Sequence, residues 1–256
     1  YLNKWSKKLP NAKYQNSYLN FIASHDGIGM RPTERILNER SLNNFLKRLK
    51  KNGSKFSYRK VQNKSKKVYE ANITVFDALK KSDTDPNGKF FLERYIAAHA
   101  IMISFEGVPA IYFNSLFGKS NDEAKYVITG NNRDINRYKW SYENIKKKLN
   151  NKNSKQSIFY QNLGKLLEIK RKQKAFHPNA KRLNINLGSK IFCYERISLD
   201  KKQTIICITN LSTKLQYIKI NKNLIKYRDL LGRKTFFTLD KKIKLDPCQT
   251  IWLSNR

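Results

Sequence analysis

The sequence predicts an α/β chain made of two successive stretches, and three observations carry that expectation. Two short apolar runs, residues 18–24 and 107–113, have the length and continuity of buried parallel strands. Between them, residues 90–105 place Phe91, Tyr95, Ala98, Ile101, Met102 and Phe105 at helical spacing, completing a strand–helix–strand pattern. From Lys181 onward, short β-rich runs alternate with polar turns, several of them about 8–12 residues apart. The expected division is therefore 1–176, helices and parallel strands, and 177–256, an all-β stretch.

Taken in order, residues 1–17 are polar and read as the end of a loop or helix. The run from Tyr18 to Ala23 then stops in Ser24, His25 and Asp26 and breaks at Gly27 and Gly29. A buried strand thus delivers a His–Asp pair to its C-terminal end, where parallel α/β folds carry out chemistry. Residues 41–52 predict a helix with Ser41 as cap, Leu42, Phe45, Leu46 and Leu49 on one face, and Gly53 as the stop. Ser57 to Lys67 is basic and irregular and reads as a hairpin ahead of Tyr69. Residues 82–88 are turn-rich. The run 107–113 leads into a polar loop with Asn114, Ser115, Gly118, Asn121 and Asp122. Residues 146–155 read as a solvated Lys/Asn-rich run. Residues 154–174 read as a helix with Ile158, Leu163, Leu166, Leu167 and Ile169 inward. The β runs expected after it are 191–197, 204–209, 215–220 and 250–253. Met102 reads as core filler.

Among 256 residues, 53 are Lys or Arg and 19 are Asp or Glu, a formal charge of +34. The lysines are spread along the chain among many Asn and Ile residues, and no nucleic-acid-binding motif accompanies them. The expectation is no specific nucleic-acid partner, with non-specific adhesion at low salt. No run reaches the roughly 18 apolar residues of a membrane helix, so no membrane partner is expected. The first residue is Tyr1, and nothing before Tyr18 resembles a signal peptide, which reads as a chain beginning inside a longer protein. Cys193, Cys207 and Cys248 lack metal-ligand spacing. Cys193 and Cys207 lie in strand-like runs and read as buried, reduced thiols, which suits a cytoplasmic enzyme. His25, His99 and His177 are too scattered to predict a zinc site.

Four segments in fixed order carry a resemblance. They are Asn20 to Pro32, containing Ala23-Ser-His-Asp-Gly-Ile-Gly29, then Tyr69-Glu-Ala-Asn-Ile-Thr-Val-Phe-Asp-Ala-Leu79, Gly107-Val-Pro-Ala-Ile-Tyr-Phe113 and Gly130-Asn-Asn-Arg-Asp-Ile-Asn-Arg137. Together they resemble the α-amylase superfamily (glycoside hydrolase family thirteen). The longer form, with Arg31-Pro32 following, is similar to the sucrose-phosphorylase subfamily and its sucrose 6'-phosphate and glucosylglycerate phosphorylase branch. The resemblance implies the C-terminal part of a (β/α)8 TIM barrel followed by a small antiparallel β-sandwich. The runs 18–24 and 107–113 would be the seventh and eighth strands, and 154–174 the closing eighth helix.

The activity implied is a retaining double displacement on an α-glucoside, with phosphate as co-substrate and α-D-glucose 1-phosphate as product. That chemistry needs a nucleophilic carboxylate and a carboxylic acid about 5–5.5 Å apart. In the resembled family both come from earlier strands, at an Arg-x-Asp motif and a later isolated Glu, and neither motif is found here. The chain by itself is therefore expected to be inactive. An α-glucosidase or transglucosidase of the same superfamily, or a non-catalytic carbohydrate-binding derivative, is the alternative. The expected partners are a small-molecule sugar and phosphate, and no cofactor or metal is implied.

Residue by residue, the resemblance makes Asp26 the carboxylate that stabilises the oxocarbenium-like transition state, and His25 a hydrogen-bonding partner of the same sugar hydroxyls. Arg133 matches the arginine at the closed end of the glucose pocket, ready to pair with a carboxylate from outside this chain. Tyr69 and Glu70 match a mobile loop on the acceptor side. Other readings stand beside these. Asp26 also reads as a turn former, Arg133 as a surface arginine paired with Asp134, and Glu70 as a buried or capping residue. Arg137 reads as structural or as an anion contact. Arg31 is a candidate contact for an anionic acceptor. Asn121 and Asp122 read equally as structural and ligand-binding.

Overall fold

The computed structural model describes residues 1–13, 15–61, 66–221, 223–224, 226–232 and 242–256. In chain order the elements are helix α1 (Leu2–Lys8), strands β1 (Leu19–Asn20) and β2 (Ile28–Gly29), helix α2 (Glu39–Lys51), strands β3 (Lys55–Lys60) and β4 (Lys66–Asn72), and helices α3 (Val75–Lys80) and α4 (Phe91–Ser104). Strand β5 (Val108–Pro109) and helices α5 (Phe113–Leu116), α6 (Glu123–Thr129), α7 (Tyr142–Asn150) and α8 (Lys155–Lys172) follow. The β-rich end comprises β6 (Lys181–Ile185), β7 (Ile191–Ile197), β8 (Thr204–Asn210), β9 (Gln216–Ile218), β10 (Arg228–Asp229), β11 (Ile243–Leu245) and β12 (Thr250–Ser254). The fold is mixed α/β. Among the described residues no helix is long and apolar enough to cross a membrane.

The chain packs into two compact units that interleave the stretches 1–176 and 177–256. The first takes Tyr1–Asn20, Leu92–Ala110 and Gly164–Arg256; the second takes Phe21–Phe91 and Ile111–Leu163.

In the first unit, five antiparallel strands form one sheet in the order β10-β12-β8-β7-β6, and β9 pairs with β11. Alternate residues of β7, β8 and β12 send Ile191, Cys193, Ile206, Ile208, Ile251 and Leu253 into one apolar core. The opposite face is buried as well. There Phe192 and Tyr194 meet the ring of Phe105, and Trp252 meets Phe176 edge-on at 4.9 Å. Burial of both faces fits the high content of β-branched and aromatic residues in the β-rich runs 191–197 and 204–209. All three cysteines are buried and outside any disulfide among the described residues, and burial pushes the Cys207 thiol up to about 12.

The same unit holds the parallel pair. Leu19 and Asn20 lie opposite Val108 and Pro109. The runs 18–24 and 107–113 are thus shorter as strands than expected, because a run is a strand only where it finds a hydrogen-bonding partner. Leu19 is 64% and Val108 44% exposed in this chain. Gly107 sits at φ +122 with Tyr18 against it; a Cβ there would lie 2.5 Å from the Tyr18 carbonyl oxygen. The run beginning at Gly107 ends where α5 starts, at Phe113.

In the second unit β2, β4 and β3 form an antiparallel sheet, with β4 central. The expected hairpin is present as β3 and β4; its residues 62–65 lie outside the described residues. Leu49 of α2 packs with Met30, Ala71 and Ile73, flanked by Leu42, Phe45 and Leu46 as the sequence spacing required. The cap of α2 is Asn38 and not Ser41: the Asn38 side chain accepts from the Ser41 backbone N–H at 2.9 Å. Thr74 caps α3 in the same way. Phe76, Phe91 and Phe159 form an aromatic cluster, with Phe76 and Phe91 edge-to-face at 4.7 Å.

Two helical faces differ in detail from expectation. On α8 the buried side chains include Phe159, Leu163 and Leu166, while Ile158, Leu167 and Ile169 are only half-buried. On α4 burial extends to Ala97, His99, Ala100 and Ile103, so most of the circumference is covered; Met102 is indeed core. The Lys/Asn-rich run 146–155 is partly helical, because α7 is capped by Ser141 and runs through Asn150.

Candidate functional site

The second unit gathers the charged residues singled out by sequence. Ser24 and Gly27 close a tight turn through two backbone hydrogen bonds, of 3.0 and 3.1 Å, leaving His25 and Asp26 at its tip. Gly27 has φ +106, and a Cβ there would lie 2.3 Å from the Ala71 carbonyl oxygen. Only glycine lets this turn lie against β4. Asn72, at the end of β4, donates its side-chain amide to the Asp26 carbonyl at 2.8 Å.

Tyr69 and Glu70 occupy β4 itself. The strand pairs on both sides, Gly29 and Ser57 flanking Glu70. The opposing arginines come from the segment after α6. Gly130 ends that helix in the left-handed conformation, and Asn131 accepts from the Arg133 N–H at 3.1 Å to start a short 3-10 turn, Asn132–Asn136. Side chains then fix the turn. Asn132 donates to the Phe56 carbonyl at 3.0 Å, Tyr112 to the Asn136 carbonyl at 2.9 Å, and Asn114 to the Asn136 and Tyr138 carbonyls at 3.0 and 3.1 Å.

From this scaffold Arg133 grips Glu70 with both prongs, Nη2 to Oε1 at 2.7 Å and Nε to Oε2 at 3.1 Å. Its Nη2 also donates to the Tyr69 hydroxyl at 3.1 Å. Its Nε lies 3.4 Å from Asp26 Oδ1, and Arg137 Nη2 donates to the same oxygen at 2.7 Å. His25 Nε2 stands 3.3 Å from that oxygen too. The Glu70 hydrogen bond, with help from Asp26, holds the Arg133 guanidinium above its already high ordinary value. Nearby, burial pushes the Tyr112 phenol up, with Arg137 opposing and Asp26 adding to that shift.

All five residues nominated from sequence, His25, Asp26, Tyr69, Glu70 and Arg133, therefore meet in one network. Two alternative readings are corrected. Arg133 pairs within this chain, with Glu70, and not with Asp134, whose Oδ1 lies 3.5 Å from Lys125 Nζ. Asp26 is more than a turn former, because its carboxylate takes both arginines. Arg137, undecided from sequence, is an Asp26 partner. Asn121 and Asp122 are structural. Asn121 accepts from the Thr74 N–H at 2.9 Å and donates its own N–H to Asp77 at 2.6 Å, while Asp122 caps α6. Arg31 is exposed. Sequence reasoning missed Asn72, Tyr112 and Asn114. The spacing of Arg137 four residues after Arg133 was the one available signal of a second cation on the same turn.

The hydrogen bond to the Asp26 carboxylate falls on Oδ1; among the described residues Oδ2 makes none. An ionised carboxylate with one oxygen pinned and one open can accept a hydroxyl or face developing positive charge.

No family model matches the chain. Among curated proteins it is 30% identical over 256 residues to a glucosylglycerate phosphorylase of Escherichia coli (strain K12), covering 97% of this chain and 43% of that protein. It is 32% identical over 212 residues to a glucosylglycerate phosphorylase of Spirochaeta thermophila, covering 83% of this chain and 36% of the relative. Among solved structures, the sucrose 6F-phosphate phosphorylase from Thermoanaerobacter thermosaccharolyticum superposes with a TM-score of 0.61 over 86% of this chain and 39% of that one, at 20% identity. The chain shares its fold with that structure. In sequence it is similar over most of its length to glucosylglycerate phosphorylases. It spans about two-fifths of the length of the curated relatives it matches.

Proposed function

We propose that this chain is the C-terminal part of a retaining glucoside phosphorylase, which transfers a glucosyl unit from a sucrose-like or glucosylglycerate-like donor to phosphate. In this reading residues 1–176 are the last portion of a (β/α)8 barrel and 177–256 a small antiparallel β-domain. The single observation that supports it best is the network itself. Residues 25, 26, 69, 70, 133 and 137 are distant in sequence, yet they share hydrogen bonds around one half-exposed carboxylate. Asp26 stabilises positive charge at the reacting carbon, His25 and Arg133 bind sugar hydroxyls, and Tyr69 and Glu70 shape the acceptor side. The nucleophile and the acid come from sequence outside this chain. Phosphate is a co-substrate, and carboxylate chemistry asks for no cofactor or metal. A cytoplasmic location completes the reading, in keeping with three buried cysteines that form no disulfide among the described residues. One observation favours a non-catalytic, carbohydrate-binding role instead: both carboxylates of the network are paired with arginines.

The test is an assay for α-D-glucose 1-phosphate from sucrose and from glucosylglycerate. It is run on the 256-residue chain and on a form extended by its upstream reading frame. The extended form is expected to turn over only with phosphate present, and Asp26→Asn to lower kcat by about 10²–10³. Sugar release indifferent to phosphate would make the protein a hydrolase. Robust turnover by the 256-residue chain alone would refute the assignment of the missing carboxylates.

A further inference from the structure

The first unit contains a cleft of about 770 Å3 that the phosphorylase reading leaves unused. It opens between the C-terminal turn of α8, the 3-10 turn Lys174–Phe176 and the β7–β8 turn at residues 198–200. That volume suits a small organic ligand and far exceeds the needs of a bare ion. Leu167, Phe176, Pro178 and Leu199 give it apolar walls, and Lys170, Arg171, Lys172 and Lys174 bring cations.

One carboxylate lines the cleft, Asp200, and its charge is already engaged. It accepts from Ser198 Oγ at 2.6 Å and from the Lys202 N–H at 3.0 Å, and it pairs with Lys174 at 3.3 Å. Lys172 is likewise paired, with Glu168 at 2.6 Å. Lys170 differs. It is half-buried, and among the described residues no carboxylate reaches its ammonium. Its charged neighbour is Arg196, which repels it. Arg196 is itself fully buried and donates to the carbonyls of Ser104, His177 and Ala180, His177 being a lining residue. A half-buried ammonium that no carboxylate among the described residues pairs with favours entry of an anion.

We infer that this cleft binds an organic anion of the sugar-phosphate class. The phosphate sits at Lys170 and Arg171, and the apolar side of the sugar lies against Pro178 and the exposed Leu199. Lys170 and Arg171 supply the charge complement, a point ammonium and a planar fork, that a phosphate ester takes.

Isothermal titration calorimetry on the 256-residue chain tests this with glucose 1-phosphate, glucose 6-phosphate, inorganic phosphate and glucose. Both esters are expected to bind, inorganic phosphate at least tenfold more weakly, and glucose not at all. Lys170→Gln is expected to weaken the esters at least tenfold. Lys147→Gln, which removes an exposed lysine on α7, should leave their affinity unchanged. In the unaltered chain, ester binding should protect Lys170 from acylation, read by peptide mass spectrometry, which makes the result independent of how well the variant folds. The inference is overturned if neither ester binds or if Lys147→Gln costs as much as Lys170→Gln. It is also overturned if inorganic phosphate matches the esters. Binding of glucose 1-phosphate alone, with Lys170 unprotected, would place the ligand at the Asp26–Arg133 network and overturn it too.

Discussion

In the first unit Glu106 and Arg182 face each other at 3.3 Å with 2% of each side chain exposed. In the second, Arg133 and Arg137 keep 36% and 34% of their side chains exposed while holding Glu70 and Asp26. The buried pair is tied to backbone. Arg182 donates to the carbonyls of Ser6 and Leu9, and Glu106 accepts from the Ala12 N–H at 2.6 Å. The exposed network is almost wholly side chain to side chain. The difference separates two uses of the same chemistry. Backbone-tied charge in a dry place has no competitor and joins distant segments. Side-chain pairs open to water can trade partners with a ligand at little cost to the fold.

The largest expected effect breaks the buried pair. Arg182→Met leaves the buried Glu106 carboxylate without its ion-pair partner, keeping only the Ala12 N–H as hydrogen-bond donor among the described residues, and should cost about 3–5 kcal/mol in urea unfolding. The double change Glu106→Gln with Arg182→Met should recover part of that loss. The next concerns His99, buried and stacked on Tyr95 with Nδ1 2.9 Å from the Tyr95 carbonyl oxygen. Burial lowers its pKa from 6.5 to about 4. Between those values the unfolded chain binds a proton that the folded chain refuses. Stability should therefore fall as pH drops from about 6.5 to about 4 and gain no further slope from His99 below that. The span is about 3 kcal/mol at 1.36 kcal/mol per pH unit, and His99→Leu should flatten that part of the profile. The smallest effect is at Arg133. Arg133→Gln should cost less than Arg182→Met, about 1–2 kcal/mol, because Arg133 is itself 36% exposed although Glu70 keeps only 11% of its side chain in water. Equal losses at Arg182 and Arg133 would erase the distinction between the two units.

Much of this organisation is legible in the sequence. Strand β7 occupies the run read from it, Ile191–Ile197, because its β-branched and aromatic residues mark a buried strand even with Glu195 and Arg196 inside it. The helices α4 and α8 follow from spacing alone. The boundaries that shift are those set by partners. The run 18–24 yields only Leu19–Asn20 as strand because pairing with Val108–Pro109 ends there. Asn38 displaces Ser41 as cap because Ser41 already lies inside the first turn. At the site, motif order brought out Asp26 and Arg133. No local pattern says that Arg133 takes Glu70, 63 positions earlier, or that Asn72 reaches the Asp26 carbonyl. The Glu106–Arg182 pair was equally invisible, since nothing near either residue marks it as buried.

Gly27 carries a consequence for how this gene can drift. The composition, with 53 basic residues dispersed among Asn and Ile, is that of a surface tolerant of substitution. At Gly27 that tolerance ends, because every missense change adds a Cβ where the Ala71 oxygen stands 2.3 Å away and imposes φ +106 on a side-chain-bearing residue. Such a change removes no charge, hydrogen-bonding side chain or apolar contact. It would nonetheless move the His25–Asp26 tip off β4. A loss-of-function allele at this codon would thus look innocuous in any inventory of interactions and be visible only in the backbone.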